Sequence, residues 1–324
     1  MAALNPSIEN VPSAIGGSAE AFGKLVDPHR RELLVHCYRM LGSIDDAEDA
    51  VQDALAHAWR GRSSFQRNVS LRAWLYRIAT NACLDAIERR KRGRGREENL
   101  GVGPFPDQLL GEMTAGPEAR YDARESISLA FLTALQVLPP RQRAVLILRD
   151  VLSWHSAEVA ELLEMSVPSV NSALQRARTS ISQRYASSAA SGATRAPADS
   201  SHLRSLLERY VRAWEAADIT GLVALLRDDA VLSMPPAASV SGGAAIGAFL
   251  ARTVLSGAGR RHLVPTGANN GPAFVVYASA DDSHPVQALA VLLIEGGELG
   301  IARINAFFDP QLVARFASTA ELAG

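Results

Sequence analysis

Between Ser166 and Ile181 the 324-residue chain carries side chains suited to holding nucleic acid. Ser169, Asn171, Ser172, Gln175, Arg176 and Arg178 occupy one side of a helical repeat. The other side is Val170, Leu174, Ala177 and Ile181, spaced 4, 3 and 4. The polar set contains hydroxyls, amides and guanidiniums but no acid, the groups that bond phosphate oxygens and read base edges in a major groove. Ser166 ahead of Val167-Pro168 is a helix start, a hydroxyl cap with proline in the first turn. Upstream, Ala157–Leu163 can form a short helix with Val159, Ala160, Leu162 and Leu163 inward, and Glu164-Met165-Ser166 can turn. This is a helix-turn-helix pattern over Ser156–Ile181, and the same pattern also occurs in plain helical bundles. A left-handed residue at Glu164 costs very roughly 1 kcal/mol without glycine.

A second set of candidates lies upstream and is marked by charge. The whole chain has a net charge of −1, but Asp45–Asp53 holds five acids and no base in nine residues. Ala54–Arg96 holds eleven Lys and Arg against Asp85 and Glu88, a net +9. A basic block of this kind is either a footprint for phosphates or a solvated helix face. Asp45 and Asp46 suit a helix N-terminus through the macrodipole. Asp53, two turns further on, needs another reason, such as a basic partner. Trp74 within the basic block is either core or a platform for an unstacked base.

These residues must be positioned by more than one domain, as the length implies two or three. Helical periodicity covers about 18–92, with Leu33, Leu34, Cys37, Met40 and Leu41, then Ala47, Val51, Ala54, Leu55 and Ala58, then Leu71, Leu75, Ile78, Ala82 and Leu84. Gly93–Pro117 carries six Gly and three Pro, so 93–121 reads as a flexible linker. Helical pattern returns over 122–185, and 186–200 reads as a second linker. The segment 201–324 differs in kind. It has helices over Leu203–Leu226 and Ala245–Thr253, then strand candidates at Ala273–Ser279, Val286–Ile294 and Leu299–Phe308, with Gly296-Gly297 as the turn between the last two. The fold class is therefore two all-α modules followed by an α+β domain.

Other chemistry finds little support in the sequence. Cys37 and Cys83 are distant, which suits two buried thiols in a reducing cytoplasm. No apolar run reaches the ~20 residues of a membrane span, and no secretory signal pattern opens the chain. His29 and His36 are seven apart and the other five histidines are scattered, without cysteine or carboxylate at ligand spacing, so no metal or cofactor is expected.

The helical modules together resemble a known family. Asp46-Ala-Glu-Asp-Ala-Val-Gln-Asp53, Leu71-Arg-Ala-Trp-Leu-Tyr-Arg-Ile-Ala-Thr-Asn81, Asp85 and Arg89-Arg90 resemble region 2 of the extracytoplasmic-function (ECF) group of sigma-70 factors. Leu138-Pro-Pro-Arg-Gln-Arg-Ala-Val-Leu-Ile-Leu148 and the helix-turn-helix resemble their region 4. The resemblance implies two partners, core RNA polymerase and promoter DNA. It places Asp49, Gln52 and Asp53 against the polymerase clamp. It places Arg72, Trp74, Arg77, Asn81, Asp85, Arg89 and Arg90 on the minus-ten element as it melts, and the Ser169–Arg178 face in the major groove of the minus-thirty-five element. Basic residues frequent in the family at the Asn171 and Ala173 positions are absent, so promoter sequence does not carry over.

Leu206-Leu-Glu-Arg-Tyr-Val-Arg-Ala-Trp214 and Leu299-Gly-Ile-Ala-Arg-Ile-Asn-Ala-Phe-Phe-Asp-Pro310 resemble a subset with a C-terminal SnoaL-like cone of helices on a curved sheet, usually with an apolar cavity. Trp214, His262, Tyr277 and Asn305 are the candidate lining of a small-ligand pocket. Arg303 and Asp309 are further polar candidates. The tail is read as a regulator acting in cis through contact with the sigma regions. The alternative is a ligand sensor or an isomerase- or cyclase-like enzyme, but no base and electrophile pair can be assigned.

Overall fold

The computed structural model describes residues 18–65, 70–93, 102–110, 127–190, 201–237, 239–256, 259–279, 281 and 284–317. It divides into two compact units. One joins the 1–98 and 112–184 segments; the other joins 99–111 and 185–324.

The first unit is helical. Helices α1 (Ala19–Val26), α2 (Arg30–Leu41), α3 (Ile44–Arg60) and α4 (Leu71–Gly93) form its first module. Ser18 and Ser43 cap α1 and α3 through their side chains, and Gly42 closes α2 at φ +76°. Leu33, Cys37, Met40, Val51, Leu55, Leu75 and Cys83 are buried between the helices. Burial and a hydrogen bond to Cys37 push the Cys83 thiol well up, and both cysteines are free and buried in the core. His36 is fully buried against Thr80 at 2.9 Å, and burial pulls its pKa down to about 3.

Helices α5 (Leu129–Gln136), α6 (Pro140–Leu146), α7 (Ser156–Leu162) and α8 (Val167–Ala190) form the second module, with a π-helical turn at Ile147–Val151 after α6. Arg143 of α6 is buried and joins the modules. It donates to the carbonyl of Met40 at the end of α2, to the carbonyls of Gln136 and Leu138 at 3.0 and 3.2 Å, and to the Gln136 side chain. Burial pushes its pKa down to about 10. Trp154 packs against Tyr76 across the same seam, with the rings tilted and their centroids 5.4 Å apart.

The second unit is α+β. Helices α9 (Ser201–Glu215), α10 (Ile219–Leu225) and α11 (Gly243–Thr253) cover one face of a six-stranded sheet. Its strands are β1 (Leu226–Ser233), β2 (Val240–Ser241), β3 (Arg261–Ala268), β4 (Gly271–Ala278), β5 (Gln287–Gly297) and β6 (Gly300–Phe307), and α12 (Pro310–Ala314) follows. Their order is β2-β1-β6-β5-β4-β3, and only β1 and β6 pair in parallel.

Three sequence readings need correction. The β5–β6 turn is Glu298-Leu299, because Gly296 and Gly297 still pair with Ile301 and Gly300. Strands β1 and β3 had no reading as strands; Asp228, Asp229 and Pro265 broke the apolar alternation that marks one. Finally, residues 102–110 within the expected flexible linker are held on the second unit. The remainder of 94–126 and residues 191–200 lie outside the described residues.

Candidate nucleic-acid interface and tail cavity

The helix-turn-helix forms over Ser156–Ala190 with Glu164 at φ +54°, the left-handed turn residue of the motif. Ser166 caps α8 by accepting from the Ser169 amide at 3.3 Å. Val170, Leu174 and Ala177 are buried, which turns Ser169, Asn171, Ser172, Gln175, Arg176 and Arg178 outward, all exposed. These six do not share one state. Asn171 accepts from Ser156 at 2.9 Å. Arg178 is bound bidentately by Asp150 at 2.9 and 2.7 Å, and that carboxylate pushes its pKa up. Arg176 makes no ion pair among the described residues. Asn171, Gln175 and Arg178 also wall an open groove of about 620 Å³ with Arg149 and Leu174.

In the upstream module Arg77, Asn81, Asp85 and Arg89 recur every four residues along α4, and all are exposed. That spacing makes one stripe. Arg72 is drawn off the stripe to Glu32 at 2.8 Å. Trp74 is 6% exposed and packs edge-on against Phe65 at 5.2 Å, so its ring serves the core rather than presenting a surface. Asp49, Gln52 and Asp53 are exposed along α3. The acidic and basic sets meet each other: Arg90 pairs with Asp46, and Arg89 with Asp53 at 3.4 Å. The Arg89–Asp53 pair is exposed, and pairs of that kind are worth at most about 1 kcal/mol and exchange readily for other partners.

The tail holds an apolar cavity of about 50 Å³ under α9 and α11, with Tyr210, Trp214, Phe249, Leu289 and Phe308 in its walls. Trp214 is the one sequence candidate that lines it. His262 is exposed near Glu215 at 3.6 Å. Tyr277 and Asn305 neighbour Val276, Ile304 and Ala306, which line the cavity, so alternation turns both to the opposite sheet face. Asn305 instead donates to Glu295 at 3.4 Å. Arg303 lies 3.8 Å from Glu295, and Asp309 caps α12. Tyr210 was missed by sequence reasoning, although it sits four residues before Trp214 on the apolar face of α9. Tyr210 Oη and Trp214 Nε1 are buried without a hydrogen-bond partner among the described residues. No carboxylate or imidazole stands among the residues that line the cavity.

Comparison with known proteins agrees with this geometry. Residues 25–93 match the family model for sigma-70 region 2, 128–181 that for sigma-70 region 4, and 207–298 that for the SnoaL-like domain. The ECF RNA polymerase sigma factor SigG of Mycobacterium tuberculosis is 42% identical over 91% of this chain and 83% of its own. SigW of Bacillus subtilis, another such factor, is 29% identical over 51% of this chain and 89% of its own. Mycobacterium tuberculosis SigJ superposes with a TM-score of 0.58 over 88% of this chain and 95% of its own, at 21% identity, and so shares the fold. Two sigma-70 modules in order, a SnoaL-like tail and 42% identity along nearly the whole length place the chain in the ECF family of RNA polymerase sigma factors.

Proposed function

We propose that this protein binds core RNA polymerase through the exposed Asp49, Gln52 and Asp53 face and reads the minus-thirty-five element with the outer face of α8. The Arg77–Arg89 stripe then holds the minus-ten element as it opens. The observation that carries this reading is the division of labour on the helical surfaces. Six hydrogen-bonding side chains without an acid face outward on α8, while α3 presents acids and α4 the mixed Arg77, Asn81, Asp85 and Arg89 stripe. No covalent chemistry is required, because melting needs only a positive surface and a place for unstacked bases. Among the described residues no helix is long and apolar enough to cross a membrane, and work on polymerase and DNA would take place in the cytoplasm.

The same reading makes the tail a modulator in cis rather than an enzyme. Acid–base chemistry needs a titrating group at the cavity wall, and the lining residues supply apolar surface instead. The unpaired Tyr210 hydroxyl and Trp214 indole favour a small apolar ligand with one hydrogen-bonding oxygen over a reaction. In vitro transcription with core polymerase is the test. Promoter-dependent transcripts and open complexes are expected on a subset of genomic templates. None on any template would overturn the reading. An unchanged output after deletion beyond Tyr185 would overturn regulation by the tail.

A further inference from the structure

The β3–β4 hairpin turns at Asn269-Asn270, both left-handed at φ +53° and +55°, a two-residue turn between the paired Ala268 and Gly271. Hairpin tips normally face solvent. This one is covered: Ala268 is buried and Asn269 is 2% exposed. The cover is the segment Val102–Leu110, from between the two promoter-reading modules. The Phe105 amide donates to Asn269 Oδ1 at 2.8 Å, and the Asn269 amide donates back to the Phe105 carbonyl at 3.0 Å. Asp107 Oδ1 accepts from the Asn270 amide at 2.8 Å, and Pro106 bridges to Ala268. Phe105 is fully buried. Pro104 and Pro106 on either side of it fix two φ angles and bias Gly103 and Phe105 toward extended backbone, which lowers the entropy lost on docking.

We propose that the Asn269-Asn270 turn is a latch for the linker, through which the tail restrains the sigma modules. This rests on the reading of the tail as a modulator in cis and names its point of contact. The physical consequence is one of reach. The two promoter elements are named some 25 base pairs apart, about 85 Å along B-DNA at ~3.4 Å per pair. Nine residues held on the hairpin withhold up to about 30 Å of extended chain. Release of Phe105 and Asp107 returns that length to the path between the modules.

The latch can be locked and broken in the full-length protein. A Cβ at Gly267 would lie 3.1 Å from that of Asp107, a few tenths of an ångström short of disulfide spacing. The pair Asp107→Cys and Gly267→Cys should therefore oxidise to a crosslink, while the native Cys37 and Cys83 stay buried. Asn269→Ala removes one acceptor worth about 1 kcal/mol, which corresponds to about fivefold faster hydrogen exchange at the Phe105 amide. Asp107→Asn keeps an acceptor and should stay near wild type. Promoter-dependent transcription is expected to fall on crosslinking, to recover with reductant, and to rise about fivefold or less for Asn269→Ala. Failure to crosslink, with a rapidly exchanging Phe105 amide in the wild-type chain, would show that the linker does not dock. Crosslinking without a change in transcription would remove the latch as a regulator. If deletion beyond Tyr185 alters output and Asn269→Ala does not, the tail acts by another route and the latch is wrong. If neither alters output, regulation in cis itself fails.

Discussion

Arg176 and Arg178 stand two residues apart on the recognition helix, and their surroundings predict different behaviour on DNA. Arg178 is committed to Asp150 by two hydrogen bonds of 2.9 and 2.7 Å, whereas Arg176 points outward without an ion pair among the described residues. Arg176→Ala should therefore weaken duplex promoter binding by the value of a base contact, about 1–3 kcal/mol or roughly five- to 150-fold, and relax sequence preference at one position. Arg178→Ala should cost less, because its charge is already neutralised within the protein. Asp150→Asn is the decisive variant. It discharges the partner and frees the guanidinium for a phosphate, so the slope of log K against log salt should steepen by about 0.9. Fluorescence anisotropy with a labelled promoter duplex and a scrambled duplex, across a salt series, gives all three quantities. If Arg178→Ala costs as much as Arg176→Ala, or if Asp150→Asn leaves the slope unchanged, the argument from the ion pair fails.

Other outcomes follow from buried groups. His36 has its pKa held near 3 against 6.5 for the free side chain, so the unfolded chain takes up a proton that the folded one refuses. Stability should be whole above pH 6.5 and be lost as pH falls from there toward 3, by on the order of 5 kcal/mol at most. Urea melts between pH 7.5 and 4 should show this, and a flatter profile is expected for His36→Gln; an identical profile would refute the assignment. Arg143→Leu leaves the Met40, Gln136 and Leu138 carbonyls without their buried donor and should cost about 1–3 kcal/mol for each one left unsatisfied, read as a lower melting temperature. Trp74→Ala should cost about 3–5 kcal/mol as a core truncation. Lost open complex at an unchanged melting temperature would instead return Trp74 to the base-holding role.

The parts of the fold that depend on local pattern were legible in the sequence. The boundaries of α7 and α8 follow from Ser166, Pro168 and the 4-3-4 apolar spacing, and Glu164 takes the left-handed turn despite its side chain. Long-range pairing was not legible. Alternation showed that Ile304 and Asn305 face opposite ways, but not which of them meets the cavity, and so Tyr277 and Asn305 were placed on the wrong side. The tie between Asp150 and Arg178 spans 28 residues and leaves no local mark. Gly and Pro in the linker marked a break in the helical periodicity. They said nothing of a partner, although a phenylalanine between two prolines was the one clue available. In β1, Arg227 forms an ion pair with Asp229 at the surface, and those charges hid a strand whose buried residues are only Ala230 and Leu232.

The order in which the chain is made gives the hairpin tip another consequence. The Asn269 side chain that receives Phe105 is encoded 164 residues after it. At about 5–20 residues per second, synthesis takes roughly 8–30 seconds to cover that distance. Strand β1 waits as well, since its parallel neighbour β6 comes near the end of the tail. Both promoter-reading modules are thus complete on the ribosome before their linker has anything to dock on. Each newly made molecule passes through an interval in which its age, rather than any signal, determines whether the restraint exists.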